Sequence, residues 1–454
     1  MKPLTVPLLL LVLLAVAGLS RAQVQTSFLD WSRILPSLSR PANHSRIFYA
    51  VMFDAGSTGT RIHVYTFIQS DSGNSLPVLD NEMFHSIKPG LSAYADSPEM
   101  AGQTVRMLLK VAKKTVPRLV WKRTPLVLRA TAGLRLLSAE KAHAILDQVQ
   151  HVFDESPFLV PDNSVSIMNG TNEGILAWIT VNFLTGHLKA QSKKTVGILD
   201  LGGGSTQITF LPKLRKTIES APVADFVARF EFFNSTFELY THSYLGHGLM
   251  AARLATLGAL GAEGTWQVFK SSCLPKKFRD EWSFGGLTYR VSGDPDGYAG
   301  YKLCYQEVLK VVKGIIHQPY ELEDSNVFYA FSYYFDRAVD AGLIDGVQGG
   351  MLEVRDFKKR AKEVCNKMTK YPPISPFLCM DMTYITCLLK DGFGFKESTV
   401  LQVRRCCTIK PVELGCFILS SIGLKCNVEM EGCTKAPQAT NLYSLHAHPK
   451  IYYR

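Results

Sequence analysis

The chain has 454 residues, of which 46% are hydrophobic and 20% charged, the composition of an ordinary globular protein long enough for two lobes. Its 50 basic and 39 acidic residues leave a formal charge of +11, which favours encounter with anionic ligands. The basic clusters are scattered along the chain rather than grouped with aromatic residues, so they indicate solvated surfaces, and we predict no nucleic-acid partner.

The N-terminus has the pattern of a secretory signal peptide. Lys2 precedes a run of Leu, Val and Ala from Leu8 to Val16, and Ser20-Arg21-Ala22 has small residues where signal peptidase cleaves. We predict cleavage after Ala22, with a signal anchor as the alternative. No later stretch qualifies as a membrane helix, so a luminal or secreted protein without a stable membrane span is expected.

Acceptor sequences for glycans and the cysteine pattern agree with that compartment. Asn43 and Asn234 are predicted glycosylation sites, whereas Asn169 lies in a segment assigned below to the functional site. All ten cysteines follow residue 270, and no Cys-x-x-Cys pair favours a metal. Local disulfides are predicted, with reduced buried thiols as the alternative: Cys273 with Cys304, and Cys365 with Cys379.

Strands and helices alternate in both halves, which predicts an α/β fold. The predicted strands are Tyr49–Phe53, Arg61–Phe67, Pro125–Ala130, Val196–Leu199 and Gln207–Leu211. The predicted helices are Met100–Thr115, Ala139–Phe153, Thr241–Leu257, Lys302–Lys313, Tyr329–Ala341 and Val354–Met368. The chain divides into a signal peptide (1–22), an N-terminal linker (23–45), a first lobe (46–185), a second lobe (186–402) and an atypical tail (403–454), with disorder of the tail as one alternative.

Two glycine-rich turns stand out, loop 1 at Asp54–Arg61 and loop 2 at Asp200–Gln207. Each follows a short apolar run and precedes an alternating one, which indicates strand, tight loop and strand, with an Asp opening the loop. Glycines let several backbone N–H groups converge, and such a nest binds anions, above all phosphate. Two of these loops, about one lobe apart, predict a duplicated clamp that holds a polyphosphate from both sides.

Two further segments between the loops contain residues that could take part in catalysis. In the first, a strand ends in a turn of small residues that carries Thr131 and Arg135. Thr131 would reach a metal-bound water or a phosphate, and Arg135 a phosphate or a carboxylate; an ordinary strand-to-helix connection is the alternative. In the second, Glu173 leads an apolar helix. It is either a general base in the cleft or a group that compensates the helix dipole.

Together these four segments resemble the apyrase family, the nucleoside triphosphate diphosphohydrolases, and the chain is most similar to their soluble nucleoside diphosphatases of the endoplasmic reticulum. The motifs that carry the resemblance are Asp54–Arg61, Ala130–Arg135, Gly170–Trp178 and Asp200–Gln207. The resemblance covers about Phe48 to Gln402. It implies a two-lobed actin/Hsp70/sugar-kinase-like fold, a duplicated ribonuclease-H-like architecture with the nucleotide between the lobes.

The resemblance also implies roles for residues. Glu173 would be the general base, with Ser205 and Gln207 placing the water. The phosphate-binding residues would be Ser57, Thr58, Gly59, Arg61, Thr131, Arg135, Gly202, Gly203 and Gly204. Asp54 and Asp200 would hold Ca²⁺ or Mg²⁺ through waters. The base would stack on Tyr334, or failing that on Tyr333.

The tail departs from the family pattern. After Gln402 the family usually continues with a Trp-Ala-Leu-Gly-Ala-like motif and a helix that returns to the first lobe, but here the chain runs into a segment with five of the ten cysteines. We expect residues beyond 402 to pack poorly and to reduce activity.

The expected function is therefore metal-dependent hydrolysis of nucleoside diphosphates, preferably UDP and GDP, to a monophosphate and phosphate. This reaction would serve glycoprotein glycosylation and folding in the lumen of the endoplasmic reticulum, or the protein would be secreted, in either case as a monomer. The alternatives are a kinase or chaperone-type ATPase of the same fold, and a non-catalytic or weakly active nucleotide-binding variant.

Overall fold

The computed structural model describes residues 45–70, 78–188, 194–232, 235–262, 266–322, 327–368, 375–404 and 452–453. The predicted signal peptide, Asn43, Asn234 and almost all of the tail lie outside these ranges. Within the part of the chain that is described, no helix is both long and apolar enough to cross a membrane.

The first lobe is built on a five-stranded sheet. Its strands are β1 (Ser45–Ala55), β2 (Thr60–Ser70), β3 (Val78–Ile87), β4 (Leu126–Ala130) and β5 (Val165–Ile167), in the order β3-β2-β1-β4-β5. β1, β2 and β3 form an antiparallel meander, and β4 and β5 add parallel to β1. Its helices are α1 (Pro98–Thr115), α2 (Ala132–Arg135) and α3 (Ala139–Asp154), preceded by a 3₁₀ turn at Leu91–Tyr94.

One face of this sheet forms the core of the lobe. Alternate residues of β1, such as Val51 and Phe53, are fully buried against Leu108 of α1 and Val149 of α3. This follows from the two periodicities: alternate residues of a strand share a face, while residues three and four apart share one on a helix. Loop 1 is thereby held at the end of a well-packed strand.

The second lobe repeats that plan. Its main sheet contains β6 (Gly197–Leu201), β7 (Ser205–Phe210), β8 (Val227–Phe232), β9 (Ser235–Leu245), β13 (Phe328–Ser332), β14 (Gly350–Glu353), β15 (Val400–Val403) and β16 (Tyr452–Tyr453), in the order β14-β15-β13-β6-β7-β9-β8-β16. Strands β6, β7 and β9 form an antiparallel meander, and β13 and β15 add parallel to β6. This is the order and direction of the five first-lobe strands, so the predicted two-lobed, ribonuclease-H-like duplication is confirmed.

The remaining helices are α4 (Gly170–Leu184), α5 (Arg215–Glu219), α6 (Leu249–Thr256), α7 (Tyr301–Val312), α8 (Tyr333–Asp340), α9 (Val354–Lys367) and α10 (Leu378–Cys387), followed by a π-helical turn at Leu388–Phe393. A small sheet of β10 (Val268–Ser271), β11 (Arg279–Phe284) and β12 (Leu287–Gly293) is inserted before α7. Both predicted disulfides are present, Cys273–Cys304 and Cys365–Cys379. Cys387 is a buried free thiol.

Helix α4 connects the lobes but packs on the second. Trp178 and Ile175 are buried in a cluster with Ile198 of β6 and Leu239 of β9. Asn182 fixes the far end, because its side-chain amide donates to Val196 O at 2.9 Å and its oxygen accepts from Val196 N at 2.7 Å. Packing therefore assigns 170–184 to the second lobe, although the sequence-based division placed it in the first.

Two predicted helices were wrong over part of their length. The segment predicted as a helix from Thr241 to Leu257 begins as strand β9, and only Leu249–Thr256 is helical. Tyr329–Ala341 similarly starts as β13 and turns helical only at Tyr333. In both cases apolar residues continue from a buried strand into a buried helix, so the hydrophobic pattern does not mark the change.

Candidate active site

The two glycine loops occupy equivalent positions in the two sheets. Asp54, near the end of β1, pairs across the strands with Arg61, and Asp200 of β6 pairs in the same way with Gln207. Duplication has therefore put a carboxylate at the end of the first strand of each lobe, opposite a different polar partner in each. In the first lobe that partner binds the carboxylate directly, with Arg61 Nη1 2.8 Å from Asp54 Oδ2.

The two loops also meet each other. A Cβ at Gly203 would lie 2.5 Å from Ser57 Oγ and 2.6 Å from Thr58 Cγ2, so a glycine lets the loops approach with these side chains in their present positions. The start of α6 fixes the shape of loop 2, since Leu249 N donates to Gly202 O at 2.8 Å and Met250 N donates to Gly203 O at 3.0 Å. The two loops therefore form one geometric unit made by both lobes, while phosphate binding by this unit stays a prediction.

Helix α4 brings Glu173 to the same place. Gly174 permits its close approach to the sheet, because a Cβ there would be 2.6 Å from Thr209 Oγ1 of β7. Glu173 Oε2 accepts a hydrogen bond from Gln207 Nε2 at 3.2 Å, and the Gln207 amide also contacts Ser205 Oγ at 2.8 Å. The three residues predicted to be catalytic are therefore one hydrogen-bonded group.

Of the two partners predicted for Arg135, the structure shows the carboxylate. Its guanidinium forms a salt bridge with the Glu173 carboxylate and donates to Ser205 Oγ at 3.3 Å. Thr131 precedes α2, and its backbone N donates to Ala55 O of β1 at 3.2 Å, which ties this turn to loop 1. Phosphate contacts of Thr131 and Arg135 stay predictions.

The environment of Glu173 suits a general base at neutral pH. Burial raises its pKa to about 7; Arg135 opposes this shift, and the carboxylates of Asp200 and Asp54 reinforce it. The side chain is 18% exposed, so it is shielded from bulk water while open to the cleft. A base whose pKa lies near the working pH combines availability with proton affinity.

Asp200 is the residue that best fits a hydrated cation. Burial raises its pKa to about 6, a hydrogen bond from Ser332 lowers it, and Asp54 raises it again. Its Oδ1 is buried, and no group in the described part of the chain hydrogen-bonds to it. A buried carboxylate oxygen without a partner is costly unless water or an ion supplies one. Among these residues no three His, Cys, Asp or Glu side chains converge on one point.

Of the two candidates for base stacking, Tyr334 is wrong. Its side chain is fully buried in the second-lobe core, so neither face of the ring is accessible to a ligand. Tyr333 is half-buried and begins α8 directly after Ser332, the residue that binds Asp200. Ser332 has φ 58°, a left-handed conformation that a residue other than glycine rarely adopts and that is found at functional sites.

Two site residues were not predicted from the sequence. Ser243 of β9 accepts from Gln207 Nε2 at 2.8 Å, but this position was inside a predicted helix. The alternation of Tyr240, His242 and Tyr244 with small polar residues is the strand signal that would have placed Ser243 on the cleft side. Ser332 has no comparable signal, because its role depends on a backbone turn.

The chain has a duplicated, two-lobed, actin-like fold with a buried glutamate beside two glycine-rich loops. The chain belongs to the GDA1/CD39 (nucleoside phosphatase) family, whose model matches residues 40–429. This match extends past Gln402, where the sequence-based resemblance ended.

Individual relatives agree with that assignment. The chain is 61% identical over 374 residues to ectonucleoside triphosphate diphosphohydrolase 5 of Gallus gallus, covering 82% of this chain and 87% of the relative. It is 55% identical over 413 residues to nucleoside diphosphate phosphatase ENTPD5 of Homo sapiens, covering 90% and 95%. A crystal structure of nucleoside triphosphate hydrolases from Neospora caninum superposes with a TM-score of 0.52 over 86% of this chain and 91% of that chain, at 12% identity, and shows the fold alone.

Proposed function

We propose that the protein hydrolyses nucleoside diphosphates, preferably UDP and GDP, to a nucleoside monophosphate and phosphate. The observation that carries this proposal is the Glu173 carboxylate, bonded to Gln207 and Arg135 at the point where the two loops meet. Binding the terminal phosphate between the loops would put a water beside this carboxylate. In-line attack requires that water to be oriented and to lose a proton as the bond to phosphorus forms.

The contacts of each residue indicate its role in the proposed reaction. Glu173 accepts the proton, and Gln207 and Ser205 hold the water against it through their shared hydrogen bonds. Arg135 holds the Glu173 carboxylate in place and lowers its pKa, against the rise that burial causes. The phosphates are bound by both loops: by Ser57, Thr58, Gly59 and Arg61 of loop 1 and by Gly202, Gly203 and Gly204 of loop 2. Thr131, beside loop 1, contributes to the same binding.

The residues present fit a divalent cation, Ca²⁺ or Mg²⁺. Asp200 has a buried oxygen without a protein partner, and Asp54 raises its pKa from the other lobe. Such hard ions take oxygen ligands and keep several waters, so two carboxylates are enough. When bound, the cation would neutralise charge on the phosphates, and Asp54 and Asp200 would orient its water shell.

The nucleoside end of the substrate extends over the second lobe. Tyr333 is the proposed stacking platform, since it is partly exposed and lies one residue from the serine that binds Asp200. The protein acts as a monomer in the lumen of the endoplasmic reticulum or after secretion. There, removal of nucleoside diphosphates would relieve product inhibition of sugar transfer to glycoproteins.

The test is release of phosphate from UDP by wild type and by Glu173→Gln. We expect the variant to lose ~10²–10⁴-fold in kcat, the usual contribution of a general base, while UDP still binds. Glu140→Gln, which alters an exposed glutamate of α3, is the matched control and should retain wild-type rates. Removal of divalent cations with a chelator should abolish turnover in both active proteins.

Each contrary result has a distinct meaning. Full activity in Glu173→Gln would exclude the general-base role. Wild type that binds UDP but releases no phosphate would instead favour a nucleotide-binding protein without catalysis.

A further inference from the structure

Four charged side chains form a cluster that reaches the proposed stacking platform through one of them, Arg337, and take no part in the chemistry described above. Asp381 of α10 is fully buried and binds Arg253 of α6 through two hydrogen bonds, Nε to Oδ1 at 2.7 Å and Nη2 to Oδ2 at 2.5 Å. Its Oδ2 also accepts a hydrogen bond from Nη1 of Arg337 in α8, at 3.2 Å. Asp340 completes this charged cluster, 2.7 Å from Arg337 Nη2.

The charged cluster connects directly to Tyr333. The Arg337 guanidinium carbon lies 5.6 Å from the centroid of the Tyr333 ring, within the range of a cation–π interaction. The two residues are four apart on α8, so they share one face of the helix. With Asp381 and Asp340 holding its two Nη atoms, Arg337 has little freedom, and the ring beside it is restrained in turn.

Stability alone does not account for this arrangement. Taking two arginines and an aspartate out of water costs several kcal/mol for each ion, and well-packed apolar residues often replace such groups without loss. The Arg337 Nε is buried and has no partner in the described part of the chain, a further cost. What the charges supply is directionality: the bidentate pair with Arg253 fixes the orientation of the Asp381 carboxylate. Arg337 is then held at one Nη atom by Asp381 and at the other by Asp340.

We propose that Arg337 and Asp381 are positioning residues for the nucleoside: Asp381 fixes Arg337, and Arg337 holds the Tyr333 ring in the orientation on which a base stacks. Neither residue touches the phosphates or the water. This inference rests on the proposed function only in taking Tyr333 as the platform for the base. It predicts that loss of Arg337 weakens binding of the nucleoside and leaves binding of the diphosphate unchanged.

The experiment measures dissociation constants by titration calorimetry in the Glu173→Gln background, where substrate is not consumed. UDP is the probe with a base, and inorganic pyrophosphate is the probe without one. For Arg337→Gln we expect Kd for UDP to rise about 5–20-fold, the scale of a desolvated cation–π contact, with Kd for pyrophosphate within twofold. Asp381→Asn should show the same selectivity, since it frees Arg337 without removing it.

A double-mutant comparison separates positioning from structural support. Because Arg337 acts through Tyr333, the pair Arg337→Gln with Tyr333→Ala should bind UDP no more weakly than Tyr333→Ala alone. Arg360→Gln, which removes a partly exposed ion pair with Glu363 on α9, is the matched control and should leave both constants unchanged. Thermal unfolding of every variant reports any loss of folding.

Outcomes that overturn the proposal are distinct from those that overturn the proposed function. Equal weakening of UDP and pyrophosphate, or additive losses in the double variant, would show that Arg337 only supports the fold. If Tyr333→Ala binds UDP as wild type does, the platform is elsewhere and the positioning role fails with it. Wild type that binds UDP without hydrolysing it contradicts the function but leaves the positioning role standing.

Discussion

At the residue scale, the same carboxylate can be a capping group or a catalyst, and its surroundings decide between the two. Glu173 occupies the first turn of α4, where an acidic residue commonly compensates the helix dipole. Here its side chain is instead bonded to Gln207 and Arg135, and burial raises its pKa to about 7. The sequence singled out this residue, and its role as a base stays a proposal; its pKa depends on burial that no linear motif contains.

Burial raises the pKa of Glu173, and Arg135 limits that rise, so Arg135 should influence the pH at which the proposed base is ionised. Only the ionised carboxylate accepts a proton, so kcat/KM should fall as pH drops below about 7, the pKa of Glu173. Arg135 lowers that pKa, and its removal in Arg135→Gln should raise it and move the acidic limb to higher pH. A pH profile of kcat/KM for UDP measures this shift.

The control for that profile is Arg135→Lys. It retains a positive charge, so the acidic limb of kcat/KM should lie closer to its wild-type pH than in Arg135→Gln. If the acidic limb of kcat/KM stays at the wild-type pH in Arg135→Gln while activity is reduced at every pH, the arginine acts on the phosphate and not through Glu173.

The choice between Tyr333 and Tyr334 illustrates the same limit of sequence analysis. The two are identical neighbours, and only the packing of α8 shows that one is fully buried and the other is not.

At the element scale, helix α4 determines where Glu173 lies. It is apolar around most of its circumference, and Trp178 is completely buried against the second-lobe sheet. Gly174 allows the helix to approach Thr209 and Thr241, whose hydroxyls pair at 2.7 Å beneath it. The sequence predicted this helix correctly but assigned it to the first lobe, because chain order does not reveal which of two sheets a connecting helix covers.

Gly174→Ala tests that placement. The new methyl group would lie 2.6 Å from Thr209 Oγ1, so either that hydroxyl or the helix must shift by several tenths of an ångström, and a shift of the helix carries Glu173 away from Gln207. Misplacement of a catalytic group by up to 1 Å costs as much as ~10²-fold, and we expect a fall in kcat of about 10–100-fold with little change in KM.

The matched variant is Gly174→Ala with Thr209→Ala, which removes the hydroxyl that the methyl group meets. Steady-state kinetics should show partial recovery of kcat in this double variant. A wild-type kcat in Gly174→Ala would mean that a shift of α4 does not affect Glu173.

At the scale of the whole molecule, duplication explains why the site has two halves that are alike in topology and unlike in chemistry. In each sheet the first strand has an aspartate near its end and is followed by a glycine-rich loop. The residue paired with that aspartate differs: it is Arg61 in the first lobe and Gln207 in the second. The repeat of strand, loop and strand was visible in the sequence and suggested two related halves, whereas the two-lobed actin-like fold was predicted from the resemblance to the apyrase family. The contact between the loops was not, because it depends on the relative placement of two lobes.

Gly203→Ala tests whether that contact sets the working arrangement of the lobes. The added methyl group would lie 2.5 Å from Ser57 Oγ and 2.6 Å from Thr58 Cγ2, so either these two side chains turn away or the loops separate. We expect kcat/KM for UDP to fall at least about 10-fold, because both loops must reach the same phosphates, while the thermal midpoint changes little, since neither lobe core is altered. Gly346→Ala is the control: its new methyl group would meet only Val339 Cγ1, at an ordinary 3.5 Å. Wild-type kinetics in Gly203→Ala would show that the loops work at a greater separation than the structure has.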